Sequence, residues 1–189
     1  FANDLISRYP DQFPRIIGSR NINDIDKITI LKEIIHSSKL KHLKPFGDPF
    51  YYLHHIRSAI SEMKRENVSP RAAQKLVKKE RETYKMIADL CHEKGPHRGK
   101  VKGKYLEQEK KIEKDRELVL IYGKYEKVLR DRMLYDYEDM IIETIHALEK
   151  NPDFLLILEE QYQYIRADEH QDANNSQNSL LELLASFHE

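Results

Sequence analysis

A chain of 189 residues that is 40% hydrophobic and 34% charged, with six glycines and no tryptophan, is long enough for one domain or one domain and part of another. Its Lys, Glu, Leu and Ile favour solvated helices over sheet. No apolar run approaches the ~18 residues of a membrane span, no signal-like segment is visible at the N-terminus, and the single cysteine, Cys91, excludes an internal disulfide framework, as fits a cytoplasmic protein. The zero net charge hides an asymmetry. Residues 1–61 carry nine basic and six acidic side chains, residues 62–132 carry 21 and 13, and residues 133–189 carry two and 13. A basic middle points to phosphate-backbone contact or to uneven charge on solvated helices, and an acidic end to a metal site or an exposed acidic face.

In chain order, Asn3 to Tyr9 reads as a short helix, stopped because a residue before Pro10 avoids the α region. Asp24 caps a helix to about Ser37 with Ile25, Ile28, Leu31 and Ile35 on one face. A turn cluster from Lys44 to Pro49 precedes a second stripe of Phe50, Leu53, Ile56, Ile60 and Met63. Ser69-Pro70 opens a third helix, with Leu76, Val77, Tyr84, Ile87 and Cys91 facing inward. Lys94 to Lys104, with three glycines, one proline and five basic residues, breaks it. A long helix from Tyr105 to Arg132 follows, with Ile112, Val119, Tyr122 and Leu129 inward. Asp136 caps the next helix with Asp139 as a capping-box partner, and Met140, Ile141, Ile145 and Leu148 form its buried side. Asn151-Pro152 restarts another. Tyr164 to Ala167 is the one convincing strand, and Asn174 or Asn175 starts a final helix carrying Leu180, Leu181, Leu183 and Leu184. Phe1 at the start and Phe187 in a running helical pattern at the end make both termini read as cut from something longer.

The densest chemistry is Ile165-Arg166-Ala167-Asp168-Glu169-His170-Gln171-Asp172-Ala173-Asn174-Asn175-Ser176-Gln177. Mg²⁺ takes oxygen ligands and keeps several waters, so one carboxylate can hold it directly or through water. A second carboxylate can orient an attacking water. Neighbours on a strand point to opposite faces, so such a pair must sit where the strand ends and the backbone turns.

This acidic string resembles the Walker B motif of UvrD/Rep-type superfamily 1 ATP-dependent DNA helicases. Asp136-Tyr137-Glu138-Asp139-Met140-Ile141 resembles the segment that precedes it in that family. Pro45 to Leu53 with Lys64-Arg65-Glu66-Asn67-Val68-Ser69-Pro70 resembles the helical insertion of bacterial members, and Phe1-Ala2-Asn3 the residues after its second conserved segment. The resemblance implies three parts: residues 1–15 end the first stretch of a RecA-like domain (1A), residues 16–158 are a helical 1B-like insertion, and residues 159–189 return to 1A through Walker B. It further implies that Asp168 holds Mg²⁺ through water, Glu169 is the catalytic base, Gln171 links nucleotide state to DNA-binding segments, and Asp172 and Gln177 support the loop. His170 stands where the family has an aromatic residue, and Ala173 where it has threonine, which removes a helix-capping hydroxyl unless Asn174 takes the role. The fold expected is all-α, a multi-helix bundle with one short strand near Ile165 orphaned from a truncated RecA-like α/β domain.

No G-x-x-x-x-G-K-[ST] phosphate loop occurs in the 189 residues, since neither Gly99-Lys100 nor Gly103-Lys104 is followed by Ser or Thr. ATP and Mg²⁺ are therefore expected to act only in an intact protein, together with single-stranded and duplex DNA, and the fragment is expected to be inactive and to hold no cofactor. Arg98, Lys100, Lys102 and Lys104 are the candidate DNA contacts outside the motif, with a plain surface loop as the other reading. Tyr51, Tyr52, His54 and His55 read as core packing or base stacking. The competing function is a non-catalytic helical DNA- or protein-binding module whose acidic motif is vestigial.

Overall fold

The computed structural model describes residues 1–94 and 96–185. Helix α1 spans Ala2–Arg8, α2 Asp24–Ser37, α3 Leu53–Arg65, α4 Pro70–Lys85, α5 Leu106–Asp131, α6 Tyr137–Lys150, α7 Pro152–Gln161 and α8 Asn175–Ala185. The all-α expectation holds. Among the described residues the sheet content is one parallel pair, β1 (Arg20–Asn21) beside β2 (Leu134–Tyr135), with Arg20 opposite Leu134. This pair joins the point where the chain leaves its N-terminal segment to the point where it comes back after α5.

The strand expected at Tyr164–Ala167 is not one. The segment is irregular and exposed. A strand needs a neighbour to satisfy its backbone groups, and nothing in the described chain lies alongside to pair with it. The expected run of the last helix beyond Ala185 lies outside the described residues, as does Gly95 of the glycine-rich loop.

The helix starts are where side chains can cap them. Asn23, one residue earlier than expected, caps α2: its Oδ1 accepts the Asp26 N–H at 2.9 Å, and the Asp26 carboxylate accepts the Asn23 N–H at 3.4 Å. Ser69 caps α4 by accepting the Ala72 N–H at 3.2 Å, with Pro70 in the first turn. Asn151 caps α7 in the same way, accepting the Phe154 N–H at 3.2 Å.

Two apolar cores result. The first gathers Ile30, Leu31, Ile34 and Ile35 of α2, Leu53, Ile56 and Ile60 of α3, and Ile121, Tyr122, Tyr125 and Leu129 of α5. The second gathers Leu5, Phe13 and Ile16 with Ile145 and Leu148 of α6, Phe154 and Leu158 of α7, and Leu180 and Leu184 of α8. Each fully buried Leu, Ile or Phe among them contributes roughly 1.5–3 kcal/mol relative to exposure. Two stripe assignments shift. Ile25 is 74% exposed, because α2 turns Lys27 and Ile30 inward instead. Leu76 is 61% exposed, because α4 buries Ala73 and Tyr84 instead and ends at Lys85, short of Ile87 and Cys91.

Candidate functional site

The acidic string forms a loop between α7 and α8. Glu169 sits in the left-handed region at φ 49°, a conformation that costs a non-glycine residue energy and is concentrated at functional turns. The turn carries the chain from the irregular segment into a 3-10 turn at His170–Asp172. The Glu169 N–H donates to Asp168 Oδ1 at 3.1 Å, and the Asp172 N–H donates to the Glu169 carbonyl at 2.9 Å. The Gln171 amide donates to the Glu169 carboxylate, so Asp168, Glu169, Gln171 and Asp172, four of the residues singled out from sequence, are joined directly. Asp168, Glu169 and Gln171 are all exposed. Asp168 and Glu169 line a cleft of about 690 Å³ with Phe1, Tyr137, Tyr164 and Gln177.

Behind the loop, α8 is anchored at its start. Asn174 Oδ1 accepts the Gln177 N–H at 3.0 Å, and Gln177 Oε1 accepts the Asn174 N–H at 3.1 Å. Asn174 thus takes the capping role, with Gln177 as its reciprocal partner. The next turn is held from outside: the Ser176 hydroxyl donates to the Lys64 carbonyl at 2.8 Å, and the Asn175 amide donates to the Glu66 carboxylate.

Lys64 is the residue that sequence reasoning missed. It is 1% exposed, and its ammonium lies 2.8 Å from each of Glu126, Asp136 and Asp139. The Tyr125 hydroxyl donates to Asp136 at 3.0 Å, and Arg15 approaches Asp139 at 3.5 Å. Asp136 and Asp139 also form the expected capping box of α6, at 3.0 and 3.1 Å. Burial alone would lower the Lys64 pKa, but Asp136, Asp139 and Glu126 together hold it above its ordinary value. One ammonium cannot neutralise three carboxylates. Burial works against the charge on Asp136, but Lys64 and Lys27 outweigh it and hold its pKa down. Burial pushes Asp139 up, reinforced by repulsion from Asp136 and Glu126 against the pull of Lys64. The signal was present in the spacing: Leu53, Ile56 and Ile60 share a helical face on which position 64 comes next, so the lysine occupies a core position.

Glu117 is a second omission of the same kind, since it precedes Ile121, Tyr125 and Leu129 at four-residue spacing. Its buried carboxylate accepts the N–H groups of Lys41, His42 and Leu43 at 2.7, 3.0 and 2.9 Å.

The basic loop is more ordered than its composition implies. Cys91 and Val101 form an antiparallel bridge, and the His92 N–H donates to the Lys100 carbonyl at 3.0 Å. Lys102 and Lys104 both face Asp89, at 3.5 and 2.6 Å. Hydrogen bonds from Lys104 and Tyr105 hold the Asp89 carboxyl well below the usual carboxylate range. Arg98 and Lys100 are exposed and make no ion pair among the described residues. The four cations are thus two pairs in different states.

An acid pair on a turn ahead of a capped leucine helix fits the helicase resemblance, while the strand that the resemblance implies before the pair is absent among the described residues. The full length agrees: residues 1–189 match the UvrD/REP helicase N-terminal domain, and the chain belongs to that family. It is 38% identical over 66 residues to the ATP-dependent DNA helicase PcrA of Staphylococcus aureus (strain Mu50 / ATCC 700699), which covers 35% of this chain and 9% of that protein. It is 42% identical over 64 residues to a probable DNA helicase of Mycoplasma pneumoniae, covering 34% of this chain and 12% of the other. A PcrA of Staphylococcus epidermidis is 36% identical over 66 residues, covering 35% and 9%. The matched stretch therefore spans only about a tenth of the length of these relatives.

Proposed function

We propose that this chain is part of an ATP-dependent DNA helicase that steps 3′ to 5′ along single-stranded DNA in repair or replication, in the cytoplasm. The observation that carries the reading is the Asp168–Glu169 pair on a left-handed turn, with Gln171 on the Glu169 carboxylate. The donors fit magnesium, being hard carboxylate oxygens of which the ion needs only one or two. Bound there, Mg²⁺ would neutralise charge on the phosphates of ATP. Asp168 would hold it through water. Glu169 would accept the proton of the attacking water, and Gln171, by orienting that carboxylate, would tie its position to the DNA-binding segments. Asp172 and Gln177 keep the turn and the head of α8 in place.

The resemblance puts residues 1–15 and 159–189 in a RecA-like body and residues 16–158 in a helical insertion. The core that α6 and α7 share with α1 and α8 favours an earlier return to the body, near Asp136. Arg98, Lys100, Lys102 and Lys104 are proposed to contact the DNA backbone. The 189 residues alone are proposed to be inactive, since they contain no phosphate loop.

The test is made in the longer protein that contains this chain. Asp168→Asn and Glu169→Gln should each cut DNA-stimulated ATP hydrolysis by about 10²-fold or more while DNA binding persists. Turnover at the normal rate in either variant would remove the assignment. Magnesium-dependent ATP hydrolysis by the purified 189-residue chain would overturn its proposed inactivity.

A further inference from the structure

Helices α4 and α5 pack side by side and leave a groove of about 740 Å³ between their outer faces, away from the acidic loop. Its exposed edges carry Arg71, Lys75, Lys78 and Arg81 of α4 and Arg116 of α5, and no acid lines it. Its floor is apolar. Val77 and Val119 are half-buried, and Leu120 remains 42% exposed. Gly123 adds to the opening, because a side chain there would fill the space toward Pro70, whose Cβ lies 4.0 Å from the point where a Cβ would stand. Arg81 and Arg116 share Glu113, at 3.7 and 2.8 Å. Arg71 and Lys75 make no ion pair among the described residues. An apolar strip walled by cations is complementary to a helix with apolar anchors on one face and carboxylates on its flanks. From Arg71 to Arg81 the wall runs roughly 15 Å along the helix axis, the length of nearly three turns of a docked helix.

We propose that the α4–α5 groove is a docking site for an acidic amphipathic helix of a protein partner. A nucleic-acid backbone would satisfy the cations but leave Val77, Val119 and Leu120 facing a charged, hydrated chain. The groove also lacks the aromatic side chains on which bases stack, none being among its lining residues. The peptide covers both parts of the surface.

The test is fluorescence anisotropy with the 189-residue chain. The probe is a labelled helical peptide of about four turns, leucine at i, i+3, i+4 and i+7 spacing and glutamate on the flanks. Comparison probes are a scrambled peptide of the same composition, a lysine-for-glutamate peptide and a labelled oligothymidylate. Saturable binding of the acidic amphipathic peptide is expected, weakened about tenfold or more by Lys75→Glu and separately by Leu120→Glu. Both sites are exposed, and circular dichroism checks the fold. If either variant is unfolded, Lys75→Ala and Leu120→Ser replace them. The proposal is overturned if no peptide binds, if the scrambled peptide binds as well, or if Leu120→Glu has no effect. Oligothymidylate binding that is lost in Lys75→Glu but kept in Leu120→Glu, without peptide binding, would make the groove a nucleic-acid face instead.

Discussion

The Lys64 ammonium lies 2.8 Å from the Asp136 carboxylate, and this contact joins the two cores of the molecule. Lys64 ends the buried face of α3, and Asp136 heads α6, the central helix of the second core. The Lys64 carbonyl also receives the Ser176 hydroxyl at 2.8 Å, so the same residue steadies the helix that follows the acidic loop. A second buried pair, Lys27 with Glu138 at 2.9 Å, links α2 to α6 in parallel.

Removing the cation should therefore be severe. Lys64→Met leaves three carboxylates around an apolar side chain and should cost about 3–5 kcal/mol, as breaking a buried ion pair from one side does. Adding Glu126→Gln, Asp136→Asn and Asp139→Asn to the same chain should recover part of that loss. Urea titrations of the two variants make the comparison.

The acids of this cluster predict opposite pH responses. The folded pKa of Asp139 is raised from 3.8 to about 6, so its favourable contribution is complete at low pH and is lost as pH rises through about 6. The folded pKa of Asp136 is lowered, so its contribution is present above its unfolded value and lost as pH falls below it. Lys64, raised, loses its contribution only above its ordinary value of 10.5. Asp139→Asn should reduce the component of stability that grows as pH drops from 7 toward 4, to which Glu143 and Asp115, also raised by burial, contribute with the same sign. Urea midpoints of this variant and the parent chain across that range provide the check.

Asn174→Ala should cost about 1 kcal/mol through loss of the α8 cap. Because the cap follows the acidic turn directly, amide hydrogen exchange across residues 168–177 should speed up more than exchange in α2 or α3.

Glu117→Ala strips the acceptor from three backbone N–H groups, at Lys41, His42 and Leu43. Burying them unpaired costs about 1–3 kcal/mol for each group that water cannot reach. Exchange at residues 41–43 should rise sharply, and Glu117→Gln, which keeps one acceptor oxygen, should lie between the two.

The basic loop yields a graded expectation. If its cations contact DNA, Arg98→Ala with Lys100→Ala should lower the slope of log affinity against log salt by about 2. Lys102→Ala with Lys104→Ala should have a smaller effect, because Asp89 already holds both ammonium groups. Oligonucleotide titrations at several salt concentrations would show an equal effect if the pairing with Asp89 is irrelevant.

Local interactions were legible in the chain itself. The caps at Ser69, Asp136 and Asn151, the break after α4 and the long α5 depend on residues a few positions apart, and short-range steric and hydrogen-bonding rules are strong there. The acidic string was legible for the same reason, its side chains being neighbours in sequence. What only the tertiary structure decided were pairings across tens of residues: Lys64 among Glu126, Asp136 and Asp139, Glu117 beneath the Lys41–Leu43 backbone, and β1 beside β2. The misplaced strand has the same cause. Tyr164 to Ala167 has the composition of a strand, but a strand exists only when another backbone lies alongside to exchange hydrogen bonds. Composition can propose a strand and spacing can place a lysine on a buried face, but which partner satisfies either is fixed by long-range packing, where the cost of burying an unpaired group selects the arrangement.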